Sequence, residues 1–395
     1  MDMALTVLDA TKLNIFENFR LVAGHRGLDR IIQKVGILDW EYIEKTESGS
    51  IDSDFVKGEF VLSSLLFAKE NPEYIMDAVK YLEESEVSGL AIKNVYYQEI
   101  PHEVIRYADE RSFPIFIFSK TYFEDIVTEI TDRIKSINNY ESLETKIDLL
   151  VKMNLNKAIV RDVAFEINSG FKECFFILYF KEKRFISDDR IISMIERLKK
   201  SNIFKSCDAV LKYKKGILTI FTYDKLNHAD FRKKVNYYLG VIDLPLPEFF
   251  TGVSDLHAGS QTNLYELGKG INESLFAERT AEVNKDSLSF FSEIGIYSIL
   301  MPSHNDIWLQ NFYKDFITPI IQHDQKYNTE LLDTAMKYVE NDGKIIETAD
   351  ALFIHKNTLR YRINKIKELL NMEESELSFL EQLSISVKLH KIYQL

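Results

Sequence analysis

Two cysteines in 395 residues, Cys174 and Cys207, exclude the disulfide framework of a small secreted scaffold. Cys174 opens the apolar run Cys174 to Phe180, which marks it as a buried structural thiol rather than a nucleophile. No stretch approaches the roughly 18 apolar residues that a membrane-crossing helix requires. Met1 to Phe19 has neither the basic start nor the continuous apolar block of a signal peptide, so a cytoplasmic address with no membrane partner is expected. The eight histidines are scattered, with no His-x-x-x-His or Cys-x-x-Cys pair to bind zinc. His25, His257, His304 and His355 read as surface or capping groups, and neither metal nor cofactor is expected. Gly268-Lys269-Gly270 is followed by Ile271-Asn272, which lacks the Ser or Thr partner and the spacing of a phosphate loop. Basic charge is also outnumbered. With 49 Lys and Arg against 61 Asp and Glu, the net charge of -12 excludes a chain that binds nucleic acid over its whole surface.

What the chain does have is length for two or three domains and a 46% hydrophobic content, ample for cores of their own. Its most informative stretch is Thr348 to Leu370. Ile345, Ala349 and Leu352 give one short helix face, and Leu359, Ile363, Ile366 and Leu370 give a second at helical spacing, with a break at Phe353 to His355. From His355 to Lys367 there is no Asp or Glu, while Lys356, Arg360, Arg362, Lys365 and Lys367 all fall there. A clustered basic face on a helix is usually just a solvated face. Here it opens a second helix after a tight turn, and a helix laid in the major groove needs donors near its N-terminus and an apolar face for its own domain. From Thr329 to Leu395 nine Lys or Arg stand against eleven Asp or Glu, so binding has to be local.

The run His355-Lys356-Asn357-Thr358-Leu359-Arg360-Tyr361-Arg362, preceded by Thr348-Ala349-Asp350-Ala351-Leu352, resembles the C-terminal helix-turn-helix of the PucR/CdaR family of bacterial transcription regulators. It matches each fixed position of a pattern that reads roughly His-x-Asn-Thr-Leu-x-Tyr-Arg. Leu331-Leu332-Asp333-Thr334-Ala335 resembles the preceding helix, with Ala335 where a leucine is usual, and Asn341-Asp342-Gly343 supplies the turn. The resemblance implies double-stranded DNA as partner, a homodimer or higher homo-oligomer, and DNA contacts from Lys356, Asn357, Thr358, Arg360, Tyr361, Arg362 and Lys365.

In the N-terminal third, Leu21 to Arg30 places Gly24 and Gly27 among polar residues, as a tight turn requires. An apolar strand at Gly58 to Ser64 is followed by a helix from Pro72 to Ser85, a strand at Gly89 to Ile92, a helix from His102 to Arg111 and a strand at Phe113 to Phe118. Strands alternating with helices imply a parallel or mixed sheet under helices. Ala23-Gly24, Gly27-Leu28-Asp29-Arg30, Gly58-Glu59, Ile100-Pro101 and Phe113-Pro114 resemble the N-terminal domain of purine-catabolism-type members of the family, with His25 in place of a usual acid. That domain is expected to sense a candidate small-molecule effector or to contact a partner. Open sheets bind ligands at strand carboxyl ends, which nominates Arg30, Ser63 and Ser64 for effector binding. Turn and strand-end polar groups that satisfy backbone are the commoner case.

From Tyr122 to Ile159 the pattern is one long helix with Val127, Ile130, Ile134 and Ile137 at heptad spacing. Leu143, Ile147 and Leu150 form a second stripe after Asn138-Asn139-Tyr140, which reads as a stutter or a helix break. Such a helix serves as a dimer stalk or packs on its own domain. The middle third is α/β again, with strands at Phe175 to Phe180, Ala209 to Tyr213, Ile217 to Tyr223 and Phe249 to Val253, and a helix from Asn263 to Glu282. By position and order it resembles the family's GGDEF-like domain. A working diguanylate cyclase needs hairpin glycines and adjacent metal-binding acids; the hairpin Tyr213-Lys214-Lys215-Gly216-Ile217 lacks the acids.

The expected architecture is therefore an α/β sensing domain over 1–121, a helical linker over 122–158, a degenerate GGDEF-like α/β domain over 159–301, and an all-α domain with the helix-turn-helix over 302–395. The expected function is effector-responsive DNA binding without catalysis. The alternative is a nucleotide-handling enzyme or nucleotide sensor that uses the middle domain.

Overall fold

The computed structural model describes residues 4–38, 55–152, 155–184, 187–258 and 264–394. These form two compact units, Met1–Leu143 and Glu144–Leu395.

The first unit is a five-stranded sheet in the order β1-β5-β4-β3-β2: Phe19–Ala23 (β1), Lys34–Leu38 (β2), Glu59–Ser63 (β3), Gly89–Lys93 (β4) and Ile115–Phe118 (β5). β2, β3, β4 and β5 run parallel, and β1 pairs antiparallel with β5. Each central strand is apolar on both faces, as burial between two helical layers demands. Val61, Leu90 and Ile115 meet helices Glu73–Glu84 (α2) and His102–Glu110 (α3), after the short helix Val7–Ala10 (α1); Phe60, Leu62, Phe116 and Phe118 face the other way, onto Ile126 and Ile130 of helix Phe123–Leu150 (α4). Gly24 and Gly27 are required by close approach. At φ +73° a Cβ on Gly24 would lie 2.0 Å from the carbonyl oxygen of Phe113, and one on Gly27 would lie 1.9 Å from that of Ser112.

α4 is unbroken across Asn138 to Tyr140, so the phase shift in its apolar stripe is not a helix break. Ile126, Ile130 and Ile137 belong to the first core. Within the second unit, Glu144 accepts hydrogen bonds from Lys212 Nζ (3.2 Å) and the Lys214 N–H (2.7 Å), and Asp148 accepts one from the Tyr213 hydroxyl (2.9 Å).

The second unit begins with the sheet β10-β9-β6-β8-β7, built from Cys174–Glu182 (β6), Ala209–Tyr213 (β7), Gly216–Tyr223 (β8), Phe249–Val253 (β9) and Leu288–Phe290 (β10). Helices Lys157–Ile167 (α5), Asp188–Lys200 (α6), His228–Val241 (α7) and Leu267–Asn284 (α8) complete this layer. α8 lies on β6 and β9. Its approach depends on Gly252, whose Cβ would stand 2.0 Å from the Ser274 carbonyl oxygen. Phe231 and Tyr238 of α7 pack their rings on Phe176 of the sheet. The β7-β8 hairpin turns in two residues, with Lys214 at φ +49° and Tyr213 paired to Gly216.

The chain then becomes all-helical: Tyr297–Ser303 (α9), Ile307–Tyr327 (α10), Leu331–Glu340 (α11), Ile345–Ala351 (α12), Lys356–Leu370 (α13) and Glu376–Tyr393 (α14). Phe379, Leu383 and Val387 of α14 join Leu331, Ala335, Ala349, Leu359, Ile363 and Ile366 in one core, while Leu389 and Ile392 of the same helix join a second core with Ala277 of α8 and Leu300 of α9.

Candidate nucleic-acid interface

α12 and α13 stand where the sequence pattern places them. α12 ends at Leu352, Phe353 turns the chain at φ +53°, and His355 caps α13, its Nδ1 accepting from the Asn357 N–H at 3.3 Å. The small Ala349 and the apolar Leu359, Ile363 and Ile366 are buried together and fix one face of α13. Leu370 is half-buried at the edge of that core. The opposite face of the helix's first turns is solvent-facing: Lys356, Asn357, Thr358, Arg360 and Tyr361 are exposed, followed by Asn364. Lys356 and Arg360 have no ion-pair partner among the described residues, so two full positive charges and two amides are presented without internal competition.

Other expected contacts are occupied within the chain. Arg362 is half-buried and donates to Glu330 Oε2 at 3.2 Å and to Thr334 Oγ1 at 3.1 Å. Lys365 pairs with Glu368 at 3.0 Å, one turn along the helix. Lys367 is buried; its ammonium is bonded to Glu376 and lies 5.2 Å from the centre of the Phe379 ring. Charge spacing alone does not separate these three from Lys356 and Arg360, because their partners lie on other turns or other helices. Asn364, one turn beyond Arg360 and Tyr361, and the turn residue Phe353, which is 97% exposed, are open to solvent as well and were not singled out from the sequence.

The nominated effector residues do not form one site. Arg30 donates to the carbonyls of Val87 (3.0 Å) and Arg111 (3.2 Å) and lies over the Phe113 ring, at the amino ends of β4 and β5. Ser63 is buried at the carboxyl end of β3, where its Oγ accepts from the Leu65 N–H, and Ser64 follows it. Because these strands run parallel, the residues lie at opposite ends of them.

The sheet-bearing part of the second unit holds a cluster that the sequence does not announce. His257 is not a surface or capping group. It is 4% exposed, stacked on Phe175 with centroids 4.7 Å apart, and bonded through Nδ1 to Glu266 and through Nε2 to Glu273, each at 2.9 Å. Burial opposes its protonation, but the hydrogen bonds and charges of Glu273 and Glu266 outweigh burial and hold its pKa above the ordinary value. Glu278 on α8 is buried with Lys181 3.9 Å away and Glu282 close by; burial pushes its pKa up to about 8. Among the described residues no group of three or more His, Cys, Asp or Glu could hold a metal ion, and no helix is long and apolar enough to cross a membrane.

Two family models match the chain: the purine catabolism regulatory protein-like family over residues 9–134 and the PucR C-terminal helix-turn-helix domain over residues 331–389. Relatives from Bacillus subtilis (strain 168) include the proline-responsive transcriptional activator PutR, 27% identical over 41% of this chain and 39% of that protein. The purine catabolism regulatory protein is 31% identical over 28% of this chain and 20% of its own length. The DNA-binding transcriptional activator AdeR is 29% identical over 24% of this chain and 22% of its own length. The matched region thus spans well under half of each relative.

Proposed function

Because this chain carries the PucR family's N-terminal domain at one end and its helix-turn-helix domain at the other, we propose that it is a transcription regulator that reads double-stranded DNA through α13. The observation that carries the reading is the division of α13 into two faces: Leu359, Ile363 and Ile366 are buried, while Lys356, Asn357, Thr358, Arg360 and Tyr361 are open to solvent. Arg and Lys fit guanine edges and phosphates, and Asn fits adenine. Arg362 positions the helix through Glu330 and Thr334, and Lys365 is free for phosphate only once it leaves Glu368.

The protein works in the cytoplasm as a homodimer or higher homo-oligomer, since one helix-turn-helix per chain gains specificity by pairing on two half-sites about 34 Å apart. The N-terminal α/β domain answers a small-molecule effector. The middle domain is a GGDEF-like fold without catalysis. The hydrogen bonds that hold its hairpin, through Lys214 N–H and Tyr213, to Glu144 and Asp148 support this reading, because the backbone a nucleotide would approach is already engaged. Sequencing of genomic fragments retained by the purified chain tests the proposal. A recurring operator whose retention is lost in Arg360→Ala, with the melting temperature unchanged, is expected; fragments without a shared sequence, or turnover of GTP with Mg²⁺, would overturn it.

A further inference from the structure

Phe353 occupies a backbone position that suits glycine. The N–H of Ile354 donates to the Ala349 carbonyl at 3.0 Å and that of Phe353 to the Asp350 carbonyl at 3.2 Å, the paired bonds of a Schellman ending to α12. The residue at the centre of that ending must be left-handed, and helices normally place glycine or asparagine there. Phe353 takes φ +53° instead. A bulky aromatic at such an angle is strained. It gains no packing in return, because the residue is 97% exposed, the most open large apolar group among the described residues. Neither conformational preference nor burial accounts for a phenyl ring here, so its contribution must come from a partner.

Its place in the chain points to which partner. Phe353 stands two residues before the His355 cap, at the end of α13 that presents Lys356, Asn357 and, one turn later, Arg360. A polyanion drawn to those cations comes close to an exposed ring that stands only a few positions before Lys356 in the chain. We propose that the Phe353 ring packs against the apolar surface of the DNA duplex, supplied by a thymine 5-methyl group or by the deoxyribose of the adjoining backbone. This rests on the DNA-reading role of α13 and adds a contact from the turn, outside the recognition helix. Apolar contact with thymine methyl is an established mode of major-groove reading and needs no hydrogen-bonding group.

The test uses the full-length chain and the operator recovered with the wild type. Phe353→Gly and Phe353→Asn relieve the strained angle, so both should melt at or above the wild-type temperature while operator affinity falls about fivefold or more. Phe353→Tyr should keep the affinity. A duplex with deoxyuridine in place of thymidine near the turn separates the two sources. If the ring meets a methyl group, this duplex weakens the wild type and leaves Phe353→Asn unaffected; if it meets deoxyribose, the duplex changes nothing and Phe353→Asn weakens all sequences alike. Wild-type affinity in Phe353→Gly and Phe353→Asn would overturn the proposal and leave the DNA-reading role standing. A fall in oligomer mass with these substitutions would also overturn it, placing the ring between copies of the chain. A wild type that retains no duplex at all would remove both readings.

Discussion

Arg362 and Glu330 meet across thirty-two residues of sequence, with both terminal nitrogens of the guanidinium 3.2 Å from the same carboxylate oxygen. The first of those nitrogens also reaches the hydroxyl of the buried Thr334, which in turn donates to the Glu330 carbonyl at 2.7 Å. The start of α11 is thereby tied to the middle of α13.

The two arginines of the motif should separate in their effects. Arg362→Ala is expected to cost about 1 to 2 kcal/mol of stability, since Thr334 loses a partner and the largely solvated Glu330 contributes less. Arg360→Ala should leave stability within about 0.5 kcal/mol and weaken operator binding by about 1 to 3 kcal/mol. Denaturant titration beside a binding isotherm reads both. Equal loss of stability in the two variants would contradict the assignment.

Salt dependence should count the free cations. With Lys356 and Arg360 on phosphates, joined by Lys365 once it is released, a dimer neutralises about four to six charges and should show a log-log slope of roughly -3.5 to -5.5. Lys365→Gln should flatten that slope by about one unit per subunit. Lys367→Gln should not change it, because the Lys367 ammonium is buried against Glu376. Affinities measured from low to physiological salt decide the matter.

Glu278 should make the protein less stable as pH rises. Its folded pKa of about 8 lies above the ordinary 4.5, so the folded state holds a proton that the unfolded chain has lost. The contribution is fully present below about pH 4.5 and is lost through pH 8, by roughly 3 to 5 kcal/mol. Glu278→Gln should flatten this decline and be the more stable protein at pH 8. A variant whose stability curve parallels the wild type across that interval would show that Glu278 is ionised in the fold.

His257 acts in the same direction, over a window that opens at its ordinary value of 6.5. Its folded pKa is raised above 6.5, so its share of stability is complete below 6.5 and disappears as pH climbs through the folded value. His257→Gln should be destabilised at pH 6 and approach the wild type at higher pH. NMR titration of the imidazole would show directly whether it holds its proton past 6.5.

The sequence made α13 legible because its signals are local. The break before His355, the acid-free run to Lys367 and the spacing of Leu359, Ile363 and Ile366 all lie within two dozen residues. The apolar runs at β3, β4, β5 and β6 were legible for the same reason, since strands buried on both faces leave no polar alternation to misread. The edge strand β2, Lys34-Val35-Gly36-Ile37-Leu38, was not singled out because it is short, half-exposed and carries a glycine. Arg30 looked like a ligand-binding group because sequence shows a charge and not the two carbonyls that absorb it. His257 looked unremarkable because its glutamates lie nine and sixteen residues away on other parts of the fold.

α14 has a consequence for anyone who would move the helix-turn-helix module to another protein. Its first half completes the core beneath α13, and its second half, through Leu389 and Ile392, closes a core with α8 and α9. A fragment cut just before α10 would keep α13 and strip the far end of α14 of its support, exposing a sticky apolar ridge. A usable graft has to carry α8 and α9 along with it, or repaint Leu389 and Ile392 with polar side chains.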